Sequence, residues 1–183
     1  MQMLCTAETL ESDPTQLIIH YDLDEQYEEF YFFCNQKRRR CIPNFLGIAE
    51  ARNAREIFRV MLVEDDVFSV ALVNNLVRPH HEMVVAENAV EAIRKYEAAA
   101  PDIVFLDIGL PNIDGLEVLK EILATDPHAY VVMFSAQGYF DNVRIAVDNG
   151  AKGFISKPFS KLTLDNYISR CAAERAERRS GVL

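Results

Sequence analysis

From residue 58 onward, short runs of Val, Ile, Leu, Phe and Met alternate five times with stretches long enough to form helices. This rhythm leaves few ways for the chain to fold. The runs fall at 58–63, 82–86, 102–106, 129–134 and 152–155. Each is mostly Val, Ile, Leu, Phe or Met, and runs apolar on both faces suit the central strands of a parallel sheet covered by helices on both sides. Between them, amphipathic spacing predicts helices over 68–77, 89–98, 116–123 and 139–148, and a last one from about residue 160. Asn88 is placed to cap the second helix, and Asn149-Gly150 to end the fourth.

Strand and helix in strict alternation predict an α/β fold. Five such units in about 120 residues fit a flavodoxin-like, doubly wound five-stranded parallel sheet of order 2-1-3-4-5 with helices on both faces. Residues 1–57 do not share the rhythm. Within them, 16–20 reads as a strand, 24–33 as a short helix rich in Tyr and Phe, and 48–58 as a helix leading into the first strand. The expected organisation is therefore an N-terminal extension over 1–57, of unknown role and with partial disorder left open, followed by one domain over 58–183.

Composition narrows the function. The 183 residues carry 19 Lys and Arg against 28 Asp and Glu, a net charge of −9, which argues against a broad grip on a phosphate backbone. The basic run Lys37-Arg38-Arg39-Arg40 is a local exception, best read as a solvated face. Cys5, Cys34, Cys41 and Cys171 are scattered, with no CxxC pair, so neither a zinc finger nor a disulfide scaffold is expected. With no apolar run near bilayer length and no export pattern at the start, a cytoplasmic location is expected, away from membranes.

In an open α/β sheet, chemistry collects beyond the carboxyl ends of the strands. Strand one runs into Glu64-Asp65-Asp66, strand three into Asp107, strand four into Ser135 and strand five into Ser156-Lys157-Pro158. Strands one and three are neighbours in the expected order, so Glu64, Asp65 and Asp107 should meet in one crevice. Carboxylates that close repel unless a cation joins them, and hard oxygen ligands with room for water suit Mg²⁺. A lysine and a hydroxyl nearby would complete a seat for a phosphoryl group. Asp107 then becomes the candidate phosphoryl acceptor.

Asp107-Ile108-Gly109-Leu110-Pro111-Asn112-Ile113-Asp114-Gly115 resembles the phosphoacceptor loop of bacterial response-regulator receiver domains. So do the VEDD run at 63–66, Ser135-Ala136 and Lys157-Pro158-Phe159. The likeness covers about residues 58–175 and is strongest to stand-alone, chemotaxis-type receivers. It implies phosphorylation of Asp107, a direct Mg²⁺ ligand in Asp65, a ligand through water in Glu64, and a further metal contact from the Gly109 carbonyl. Ser135 would follow the phosphoryl group, Lys157 would pair with it, and Phe154 would be the aromatic that rotates inward as Ser135 shifts. A cis Lys157-Pro158 peptide is implied too. Two residues depart mildly from the pattern: Ser135 stands where Thr is commoner, and Phe154 lacks the hydroxyl that many relatives carry as Tyr.

Each residue also has a plainer reading. Glu64-Asp65-Asp66 could only complement a helix dipole, Asp107 could only open a turn, and Ser135 could only satisfy a backbone group. Lys157 could be an ordinary surface lysine, and Phe154 could be plain core. His80-His81 follows Arg78-Pro79 with no third ligand and reads as a solvated loop. The aromatic stretch at 27–33 reads as packing material that covers a face of the domain or pairs two protomers, with disorder the remaining option.

The leading expectation is a signalling receiver, not a turnover enzyme. It would take its phosphoryl group from a histidine kinase or histidine phosphotransfer protein. The switch surface would be the fourth helix, fifth strand and fifth helix (about 139 to 173), read by a downstream protein or a second copy. The chain stops soon after its last helix, so no DNA-binding domain is expected. The alternatives are a degenerate receiver used only for docking and an aspartate-nucleophile phosphohydrolase. The second is disfavoured because Gly109 stands where such enzymes place an acid/base Asp.

Overall fold

The computed structural model describes residues 29–32, 34–35, 45–135 and 140–180. The expectations for a strand at 16–20 and for the basic run at 37–40 lie outside these residues, as do Cys5 and Cys41. Residues 29–32 and 34–35 are helical. After them come α1 (Phe45–Asn53), β1 (Arg59–Val63), α2 (Val67–Val77), β2 (Glu82–Ala86), α3 (Ala89–Ala99) and β3 (Ile103–Asp107). α4 (Gly115–Thr125), β4 (Val131–Ser135), α5 (Phe140–Asp148), β5 (Gly153–Ser156) and α6 (Lys161–Arg179) complete the order.

The five strands form one sheet, all parallel, in the order β2-β1-β3-β4-β5. Every residue of β3 and β4 is buried, which accounts for their apolar runs up to the terminal Asp107 and Ser135. Alternate side chains point to opposite faces, and the core divides accordingly. Met61, Val63, Val104, Leu106, Val131 and Met133 pack towards α3 and α4. Val60, Leu62, Ile103, Phe105, Val132 and Phe134 pack with Val73 and Val77 of α2 and Leu164, Ile168 and Cys171 of α6.

Local signals set the helix starts. Asp66, Asn88, Asp114 and Ser160 each accept a backbone N–H from the first turn of the helix they open. At Gly115 a Cβ would stand 2.1 Å from the Asp107 carbonyl oxygen, so only glycine lets α4 begin this close to the end of β3.

The segment before β1 departs from its sequence reading. A helix over 48–58 was the expectation; α1 instead spans Phe45–Asn53, and the chain turns away afterwards. The cause is Arg55, whose guanidinium donates to the carbonyls of Ala99 and Ala100 and pairs with Asp102 at 3.2 Å. Those three partners outweigh one more turn of helix. Phe30, Cys34 and Ile48 are fully buried in the α3–α4 side of the core, and Tyr31 packs against it. Of the described aromatic stretch, Phe30 and Tyr31 serve as packing, while Phe32 is exposed. Cys34 and Cys171 are free thiols, both buried.

Candidate phosphoacceptor site

The carboxyl ends of β1, β3, β4 and β5 deliver the candidate residues to one corner. Glu64 and Asp65 follow directly on β1, Asp107 ends β3, Ser135 ends β4 and Lys157 follows β5. The register pairs Val63 with Leu106, Asp107 with Phe134 and Ser135 with Ser156, which fixes these ends side by side. One carboxylate oxygen each from Glu64, Asp65 and Asp107 lies within 4.8 Å of the other two. Asp66 stays out of this cluster and caps α2 through Ser69 N–H at 2.8 Å. Asp66 thus serves as a helix cap, while Glu64 and Asp65 lie beside Asp107.

Lys157 closes the cluster. Its Nζ lies 2.5 Å from Glu64 Oε2 and 3.2 Å from Asp107 Oδ2. Burial raises the Glu64 carboxyl above its ordinary range, and the hydrogen bond from Lys157 offsets this only in part. Burial alone would lower the Lys157 ammonium, yet Glu64 and Asp107 hold it above the ordinary lysine range, so it is a fixed cation at neutral pH. The Lys157-Pro158 peptide is cis, as the resemblance implied, and Lys157 N–H donates to the Ser135 carbonyl at 2.7 Å.

The remaining candidates sit around this centre. A Cβ on Gly109 would lie 3.6 Å from Asp107 Oδ2, which places the Gly109 backbone at the rim of the cluster. Ser135 is buried one residue beyond the register partner of Asp107. Phe154 is half-buried in β5 against the α3–α4 side of the core. Its N–H donates to the Tyr167 hydroxyl at 3.3 Å, and that hydroxyl lies 3.2 Å from the Phe154 carbonyl. Sequence reasoning missed this partner, because Tyr167 read only as part of an apolar stripe. His80 and His81 sit in the turn after α2, away from the acidic corner, with His81 edge-on to Phe58.

Three carboxylates and a backbone within reach make an all-oxygen set, and exposed Asp65 leaves room for water. That donor chemistry fits Mg²⁺, which binds through few carboxylates and keeps part of its hydration shell. An acid at the centre, flanked by a fixed ammonium and a buried hydroxyl, suits nucleophilic attack on a phosphoryl group.

Comparison with known proteins agrees with this reading. The family model described as "Response regulator receiver domain" matches residues 60–169. The chemotaxis protein CheY of Listeria monocytogenes is 45% identical over 105 residues, 56% of this chain and 88% of the relative. The receiver domain of NtrX from Brucella abortus superposes with a TM-score of 0.57 at 34% identity, over 61% of this chain and 96% of that one. A CheY-like receiver domain from Methanospirillum hungatei gives 0.63 at 22% identity, covering 67% and 99%, and so speaks to the fold alone. With the β2-β1-β3-β4-β5 order and a family model that matches residues 60–169, the chain belongs to the response regulator receiver domain family.

Proposed function

We propose that this receiver works by phosphorylation of Asp107. A carboxylate oxygen of Asp107 attacks phosphorus on a phosphohistidine donor, held by a histidine kinase or a histidine phosphotransfer protein. The new P–O bond forms as the P–N bond breaks. The electron pair leaves with the imidazole, which takes up a proton. Lys157, a fixed cation 3.2 Å from Asp107, pairs with the incoming phosphoryl oxygens. The Ser135 hydroxyl donates to one of them. Glu64, Asp65, Asp107 and the Gly109 carbonyl would hold Mg²⁺, which when bound neutralises phosphoryl charge.

The acyl phosphate then biases a two-state surface. In this reading Ser135 and Phe154 carry the change to α5, β5 and α6, where a downstream protein or a second copy of the chain reads it. The product is a signal, so turnover chemistry is not required. A cytoplasmic location, where a phosphohistidine donor would meet it, is part of the proposal. Among the described residues no helix is long and apolar enough to cross a membrane. The observation that carries the proposal is the Glu64–Asp65–Asp107 cluster closed by Lys157. A receiver kept only for docking has no need of such a charged arrangement, and Gly109 gives a phosphohydrolase no acid/base.

Beryllofluoride, a phosphoryl mimic, tests it. With Mg²⁺ it should occupy Asp107 in the native chain and shift backbone NMR signals around residues 107, 135 and 157. Asp65→Ala should weaken uptake of the divalent ion at least tenfold, because its two partners then hold the ion alone. Unchanged spectra of folded protein would overturn the proposal.

A further inference from the structure

The family match ends at residue 169 and begins at residue 60, yet the structure continues on both sides and the two continuations touch. α6 runs on to Arg179. Arg175 donates to the carbonyls of Arg52 and Arg55 and pairs with Asp102 at 2.8 Å. Arg179 donates to the Asn53 carbonyl. Carbonyls at and just beyond the carboxyl end of α1 are thus capped by two arginines from α6.

These arginines belong to a row with a regular step. Residues 167, 171, 175 and 179 recur every four positions and so share one face of α6. Each grips something outside its own helix. Tyr167 hydrogen-bonds the Phe154 backbone, and Cys171 donates to the Asp102 carbonyl at 3.1 Å. Arg175 and Arg179 hold α1. Gly153 makes the first contact feasible, since a Cβ there would meet the Tyr167 ring at 2.2 Å. Twelve residues at 1.5 Å each make a rigid link about 18 Å long between the strand of Phe154 and the segment before β1.

We infer that α6 is a lever that carries the state of the Asp107 site, through Tyr167 and the Arg175–Arg179 clasp, to the N-terminal segment, which acts as an intramolecular output element. On the side of α1 that faces α6, hydrogen bonds run from arginine to carbonyl, while Ile48 on the other side is buried in the core. A pocket of about 180 Å³, open to solvent, lies along this seam, lined by Ala49, Arg52, Asn53, Cys171 and Arg175 among others. Loosely filled seams of this kind can shift as units, whereas a packed core resists. The inference rests on the phosphoacceptor reading above and adds to it a destination for the signal within the chain.

Hydrogen–deuterium exchange on the full chain, with and without Mg²⁺ and beryllofluoride, tests it, with site occupancy followed separately by fluorine NMR. Filling the site should change the exchange rates of amides in 46–57 at least threefold. In Tyr167→Phe, which keeps the ring and loses only the hydroxyl, occupancy should stay the same and the response at 46–57 should vanish. Arg175→Gln should do likewise. A filled site with no response at 46–57 in the native chain would overturn the lever, as would a response that persists in both variants. Failure to fill the site would overturn the phosphoacceptor reading, and the lever with it.

Discussion

Arg52 offers a direct measure of how firmly the segment before β1 is built into the fold. Its guanidinium lies 2.6 Å from Asp126, and it donates to the Tyr96 hydroxyl and to the Pro101 carbonyl at 2.6 Å each. Asp126 is wholly buried and Tyr96 nearly so. Arg52→Met keeps most of the apolar stem but leaves Asp126 without its cation. Removing one partner of a buried ion pair costs about 3–5 kcal/mol. Asp126 would still accept from the Tyr96 hydroxyl at 2.8 Å and His128 N–H at 3.0 Å, which points to the lower end, about 3 kcal/mol. For a domain of this size, that corresponds to a fall in melting temperature of about 6–12 °C.

The control is Arg94→Met. Arg94 also bonds to the N-terminal segment, at Glu29, but both side chains are more than half exposed. An exposed pair of this kind contributes under about 1 kcal/mol. Thermal and urea unfolding of both variants would give the two values. In the Arg52→Met background, Asp126→Asn should restore part of the loss, since a neutral amide needs no cation. Equal, small effects from Arg52→Met and Arg94→Met would refute the claim that residues 45–57 form part of the folded unit.

Two further predictions concern the core and the site. Gly115→Ala should disrupt the loop from Asp107 to α4, because the new Cβ would press on the Asp107 carbonyl at 2.1 Å. Stability should fall by about 3 kcal/mol or more in urea unfolding, and beryllofluoride uptake should weaken with it. Burial pushes the Cys171 thiol up to about 12, so it stays protonated and unreactive well beyond neutral pH. In the native chain at pH 8, peptide mass mapping after iodoacetamide should find Cys171 unmodified, and in urea it should find it alkylated. Because the unfolded thiol ionises near 9 and the folded one near 12, this group favours unfolding progressively as pH rises between those values.

The parallel sheet was legible because its signal is local. Strands such as Ile103–Asp107 are buried on both faces and are apolar up to the residue that enters the site, and β2 and α3 fall within a residue of their expected bounds. The site was legible for a related reason: once strand order is fixed, Glu64, Asp65, Asp107, Ser135 and Lys157 are gathered by topology alone. What escaped depended on pairings with no local trace. Nothing around Arg52 announces Asp126, 74 positions later, as the partner that anchors α1. The end of α1 was misplaced because apolar Ile57 and Phe58 prolong the helical pattern, while Arg55 is drawn off to carbonyls beyond α3. Tyr167 fitted the stripe of a buried helix face, and its bonds to the Phe154 backbone appear only once α6 lies across β5.

The most direct test of the central claim is phosphorylation by a small-molecule phosphodonor in the presence of Mg²⁺, followed by intact mass and peptide mapping. The account predicts a gain of one phosphoryl group on Asp107, abolished by chelating the metal and absent from folded Asp107→Ala. Modification at another residue, or none on folded native protein with Mg²⁺ present, would contradict it.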